Sequence, residues 1–180
     1  MLGGENQGIK ALYFGWRIMP FHSLIFSSFS LLKGLNLVAF RSAFKYRRCI
    51  IPASGFYEWK TQNRIKHPWY INLKTGDPLA FAGLWETWQP EDGAPVESCC
   101  IITTTANSLM DGLHDRMPVI LDVGQWEAWL SPQERQTDKL LSMIRLYNAE
   151  DMQAWPVSRE LNRVGLRDDA GLIEPIPLLI

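Results

Sequence analysis

Residues Phe40–Lys60 read FRSAFKYRRCIIPASGFYEWK, and the order of apolar and polar residues inside this stretch decides the architecture. After a basic start at Arg47 the chain is largely apolar to Ile51 and stops at Pro52. Ala53-Ser54-Gly55 supplies the small residues of a turn, and Phe56 to Lys60 alternates large with polar side chains. A short apolar run, a turn and an alternating run read as strand, turn, strand. The same grammar continues downstream. His67–Leu73 is rich in β-formers and closes at Lys74-Thr75-Gly76-Asp77-Pro78, a strong turn signal. Leu79–Trp88 follows as a long strand, Pro90 to Pro95 as a loop, Ser98–Thr105 as a β-branched strand and Met117–Leu121 as a short apolar one. Two helices are predicted. Val123–Leu130 carries Trp126 and Trp129 at i, i+3. Ser131–Asn148 opens with a serine N-cap, Pro132 and a capping-box Glu134, then shows the stripe Leu140, Met143, Ile144, Tyr147. The sum is an α+β domain with a curved, mainly antiparallel, barrel-like sheet and a few flanking helices.

The chain of 180 residues suits one domain with a real core. No stretch approaches the roughly 20 uninterrupted apolar residues of a membrane span, and the N-terminus lacks a basic start to a signal segment, so a cytoplasmic protein without membrane partners is expected. Cys49, Cys99 and Cys100 are an odd set without paired C-x-x-C spacing, and His22, His67 and His114 are scattered. Neither a metal nor a cofactor is expected. The net charge of −1 hides an asymmetry. Ten basic residues face only Glu5 and Glu58 up to Lys66, whereas eight basic residues face seventeen acidic ones from His67 onward. The densest basic stretch, Arg41, Lys45, Arg47, Arg48, Lys60, Arg64 and Lys66, suits phosphate neutralisation. A solvated basic face is the alternative.

Three clusters carry candidate chemistry. Glu58 lies between Tyr57 and Trp59, three residues past Gly55, a partly apolar setting that suits a carboxyl to shuttle protons. Its alternative is a strand glutamate facing solvent or pairing with Lys60. Leu113-His114-Asp115-Arg116-Met117-Pro118 joins an imidazole, a carboxylate and a guanidinium at the entry to a strand, with His114 and Arg116 on one face if extended. Its alternative is a structural turn with an Asp–Arg pair. Ile101 to Asn107 offers hydroxyls and an amide at a strand end, the ordinary polar terminus of a strand.

Taken with PWYINL, LAFAGLWE, IITTTAN, LHDRMPVIL, WPVS and LIEPI, in that order, the opening stretch resembles the SRAP family over about Phe40 to Ile176. The resemblance implies a SRAP-like fold over residues 40–177, preceded by a divergent segment 1–39. It also implies an abasic-site processing protein that binds single-stranded DNA and captures abasic sites covalently through an N-terminal cysteine, with a proposed autoproteolytic thiol activity. Glu58 and His114 then match the proton-transferring pair, and Arg116 matches a phosphate-binding arginine. Thr103 lies where the family lines its pocket. Trp59, Lys45 and Arg48 join them as expected DNA contacts, on a monomer whose partner is single-stranded DNA with abasic sites.

The N-terminal part departs from that pattern. Position 2 is Leu2, not the family's nucleophilic cysteine, and none of Cys49, Cys99 or Cys100 has a free α-amine to form the thiazolidine ring. Trp16 to His22 keeps only traces of the Trp-Gly-Leu-Ile-Pro-x-Trp string, and SSFSLLKGLNL at 27–37 stands where Asn-Ala-Arg is expected. The strands that should precede Tyr13 are also missing, so a truncated first sheet is expected. Three alternatives follow. One is an inactive single-stranded DNA-binding remnant gripping through the Arg41–Lys66 patch and stacking bases on Trp59. Another is an unrelated small hydrolase built on Glu58 and His114, and the last is a remnant without a stable fold.

Overall fold

The computed structural model describes residues 11–14, 17–20, 25–30, 38–162 and 170–177. The expectations at Leu2, at Trp16, at residues 21–22 and over 31–37 lie outside them. Two compact units divide the chain. One takes the residues up to Ala53 with Leu79–Thr104 and Pro118–Tyr147; the other takes Ser54–Pro78, Thr105–Met117 and the residues from Asn148 onward.

The first unit is a sheet with helices against it. Strands β1 (Ala11–Phe14), β2 (Arg17–Pro20), β3 (Ile25–Ser30), β4 (Arg48–Ala53), β7 (Leu79–Trp88) and β8 (Val96–Thr105) run in the order β2-β1-β4-β7-β8-β3. Its pairings are antiparallel except that of β3, which lies parallel to β8. Both faces of β4 and β7 are covered: Leu79 to Leu84 is buried without a break, the pattern of a strand inside a core rather than at its surface. Helix α1 (Val38–Tyr46) was not predicted from sequence. Its Phe40, Ala43 and Phe44 recur at i, i+3, i+4 and turn inward onto the core of Ile50, Ala82, Leu84, Ile102 and Trp129. Phe44 and Trp129, both fully buried, meet edge to face at 6.0 Å; burying each such ring contributes about 1.5–3 kcal/mol.

The predicted helix Val123–Leu130 forms as a 3₁₀ turn (Val123–Gln125) running into α2 (Trp126–Leu130). The long helix expected over Ser131–Asn148 does not form; only α3 (Thr137–Ser142) is helical, and Gln136 before it makes no side-chain cap bond. Ser131 instead closes α2. The carbonyls of Ser131 and Glu134 are taken by the guanidinium of Arg48, at 2.7 and 2.9 Å. A distant side chain therefore competes for the acceptors that a helix would use, and local capping signals lose.

The second unit is built on the antiparallel sheet β10–β6–β5, from β5 (Phe56–Gln62), β6 (Ile65–Leu73) and β10 (Met152–Pro156). Asn63 and Arg64, with φ of 51° and 64°, make the two-residue hairpin turn between β5 and β6. Two consecutive positive φ values suit the right-handed twist of the flanking strands. β10 was not predicted; it is short, lies at the sheet edge and ends at Pro156, where a missing N–H is tolerated.

Candidate functional site

Register fixes which side chains share a face of the second unit's sheet. Glu58 stands opposite Trp69, Lys60 opposite His67 and Phe56 opposite Ile71; Met152 and Pro156 of β10 pair with Leu73 and Trp69. Because successive side chains alternate, these residues share one face, and Tyr57, Trp59, Tyr70 and Trp155 share the other. On that second face Tyr70 lies 5.3 Å from both Tyr57 and Trp155, and its ring passes directly over Gly55. A Cβ at Gly55 would sit 2.3 Å from the Tyr70 ring, so only glycine admits this approach. Trp59 is on this face, not beside Glu58. Its indole N–H donates to Asn162 Oδ1 at 2.7 Å while its ring stays exposed.

Glu58 is half-buried, and its Oε2 accepts the Trp59 backbone N–H at 3.3 Å. Lys60 does not neutralise it; the Lys60 ammonium lies over the Trp69 ring at 5.9 Å. The alternative of a Glu58–Lys60 pair is not adopted.

The segment Thr105–Met117 packs onto the Glu58 face. The Asn107 amide Nδ2 donates to Met152 Sδ at 3.3 Å, and the Asn107 backbone N–H donates to Met117 Sδ at 3.4 Å. The segment is tied off by Ala106 N–H donating to Asp115 O at 3.0 Å and by Leu113 and His114 N–H both donating to Met110 O. At its end His114 is exposed on 44% of its side chain, so the ring is open to a partner. Its Nδ1 is held inside the segment: the Arg116 N–H reaches it at 3.0 Å, and Asp115 Oδ1 lies 3.2 Å away. In the neutral ring Nδ1 accepts the Arg116 N–H when the proton sits on Nε2, and donates to Arg116 O, 3.2 Å away, when the proton sits on Nδ1. In the protonated ring Nδ1 donates to Asp115 Oδ1 or to Arg116 O, both 3.2 Å away. Nε2 is outside this network in either state. Arg116 is half-buried at the start of β9 (Arg116–Pro118), and Met117 behind it is fully buried. The same unit thus carries Glu58, His114 and Arg116, with Trp59 on the other face of the sheet from Glu58.

Thr103, Lys45 and Arg48 belong to the first unit. Thr103 is half-buried near the end of β8, and Lys45 is exposed in the last turn of α1. Arg48, expected to contact DNA, is a correction. It is buried, with 5% exposure, and donates to five carbonyls, those of Trp129, Phe44, Lys45, Ser131 and Glu134, at 2.6–2.9 Å. A guanidinium has five N–H donors, so none is left for a phosphate. Arg47 is likewise engaged, by Glu86 at 2.6 Å. The basic run seen in sequence therefore includes structural cations.

The thiols are all interior. Burial pushes Cys49 well up, Cys99 up to about 12 and Cys100 up, with the neighbouring thiols adding to the effect at Cys49 and Cys99. Raised this far, they stay protonated and non-nucleophilic near neutral pH. Among the described residues no group of three or more His, Cys, Asp or Glu side chains could hold a metal ion, and no helix is long and apolar enough to cross a membrane.

Comparison with known proteins places this geometry. Residues 35–164 match the family model described as SOS response associated peptidase (SRAP). The chain is 46% identical over 125 residues to abasic site processing protein YoqW of Bacillus subtilis (strain 168), covering 69% of this chain and 56% of that protein. It is 34% identical over 140 residues to abasic site processing protein HMCES of Xenopus tropicalis, covering 67% and 41%. A solved structure of a protein from Bacteroides thetaiotaomicron matches with a TM-score of 0.76 at 28% identity, over 82% of this chain and 65% of that one. The chain spans about half the length of the curated relatives it matches.

Proposed function

The chain belongs to the SOS response associated peptidase (SRAP) family, and on that premise we propose that it recognises abasic sites in single-stranded DNA, with Glu58 and His114 moving the protons of the reaction. What supports the reading is that one compact unit carries a half-buried carboxylate on a sheet face, and against that face packs the segment ending in an exposed imidazole. Opening the abasic sugar takes a proton from the hemiacetal hydroxyl and delivers one to the ring oxygen. Amine attack on the freed aldehyde then loses water. Each step needs a group that holds and returns a proton, which general acid–base pairs supply. His114 suits the delivery to the ring oxygen through Nε2, and Glu58 the removal. Within the same unit Arg116 grips a flanking phosphate and Trp59 offers a stacking surface. In this reading residues 40–177 form the SRAP domain; the family's nucleophile, an N-terminal cysteine, has no counterpart in Leu2 or in the interior Cys49, Cys99 and Cys100.

A second reading, single-stranded DNA binding without covalent capture, is favoured by the three interior thiols, none of which can serve as nucleophile. Incubating the full chain with a single-stranded oligonucleotide bearing one abasic site, then running a denaturing gel, separates the two. A heat-stable shifted band supports capture. Salt-sensitive binding without a band supports the second reading, and neither band nor binding defeats both.

A further inference from the structure

Asn107 and Arg48 are the buried polar or charged residues among those described, and Asn107 is 7% exposed. Its Nδ2 faces the thioether of Met152 and its backbone N–H faces that of Met117, both weak acceptors. Its Oδ1, in contrast, makes an ordinary strong bond, accepting the Met110 N–H at 3.0 Å, while its backbone carbonyl accepts the Asp111 N–H at 2.9 Å. An i to i+3 bond of this kind is an N-cap, and it folds the turn that follows. Met110 is completely buried, and its carbonyl in turn receives the N–H groups of Leu113 and His114. The Arg116 N–H then closes on His114 Nδ1. A chain of bonds thus runs from the Asn107 amide to the imidazole. What the asparagine side chain supplies to the turn is the Oδ1 acceptor of the Met110 N–H.

We propose that Asn107 is a positioning residue: its amide oxygen sets the 107–113 turn so that His114 is held by Nδ1 and presents Nε2. The assignment rests on the reading of His114 as a proton carrier, but its structural half can be tested without it. The experiment uses the full chain, ¹⁵N signals of the His114 ring and an oligonucleotide with one abasic site. In the unsubstituted protein the neutral ring is expected to favour one tautomer, Nδ1 accepting the Arg116 N–H at 3.0 Å over donating to Arg116 O at 3.2 Å. Asn107→Ala is expected to draw the Nδ1 and Nε2 signals toward a tautomer average and to slow reaction at the abasic site roughly ten- to a hundredfold. Asn107→Ser, which restores a capping oxygen, is expected to recover the ring signature and the rate to within about threefold. An Asn107→Ala protein that folds and keeps the parent ring signature overturns the proposal, as does a folded Asn107→Ser that fails to recover it. If Asn107→Ala does not fold, amide exchange in the unsubstituted chain decides. Met110 and Arg116 N–H exchanging with one protection supports the linkage, and Arg116 exchanging far faster than Met110 overturns it. A parent chain with no reaction at the abasic site sinks the functional reading, while the ring signature and exchange still decide the role of Asn107.

Discussion

Arg48 and His114 stand at opposite extremes of how this chain treats a polar, charge-bearing side chain. Arg48 is closed in the first unit, its donors shared among five carbonyls and its face 5.7 Å from the Trp129 ring. His114 is held by one ring nitrogen and leaves the other outside the segment's network. The contrast teaches that charge along a sequence says little about availability. A buried guanidinium with its donors all matched is architecture, whereas a half-held imidazole keeps one ring nitrogen outside the segment's bonds.

The comparison breaks most sharply at Arg48. Arg48→Ala is expected to cost about 3–5 kcal/mol, because five carbonyls, all buried or partly so, lose their donor at once. Urea unfolding followed by circular dichroism measures it, and a loss under about 1 kcal/mol would return Arg48 to the pool of available cations. Next comes Glu58→Gln, expected to slow reaction at an abasic site at least about a hundredfold while leaving affinity for intact single strands nearly unchanged; equal losses in rate and affinity would make Glu58 a binding residue. Gly55→Ala should destabilise the chain by about 1–3 kcal/mol by forcing the Tyr70 ring aside, and an unchanged melting curve would mean that the ring stack yields freely. Arg116→Ala should lower the slope of log affinity against log salt by about 1; an unaltered slope removes Arg116 from the phosphate contacts. The smallest effect is at Lys45, whose change to Ala should alter stability by no more than about 0.5 kcal/mol, the opposite of Arg48 three residues away.

Much of the fold was legible. Strands β4 to β8 follow apolar runs and turns that any reading of residues 47–105 would mark, and the turn at Lys74–Pro78 falls between β6 and β7 as expected. Glu58, His114 and Arg116 were legible as candidates because their residue types carry the chemistry, and the structure puts all three in one unit. Other features were not legible. The stripe of α1 is present at Phe40, Ala43 and Phe44, but nine residues of helix are marginal without the core they pack on. Trp59 follows Glu58 in sequence and so was grouped with it, yet strand alternation sends the two to opposite faces. Asn107 looked like a plain strand terminus; its spacing to Met110 carried the only local hint of a cap.

What the sequence by itself determined is the family, the α+β class, the strands of residues 48–105 and the residue types of the candidate site, because periodicity and motif are recorded residue by residue along the chain. Only the tertiary structure decided that Arg48 is saturated, that Ser131–Asn148 is not one helix and that His114 is held through Nδ1. The first two turn on the same contacts: Arg48 meets carbonyls 81, 83 and 86 residues away. Which donor finds which acceptor across such distances depends on the folded arrangement, and a buried bond of that kind outweighs the tenths of a kcal/mol by which local propensity would choose otherwise.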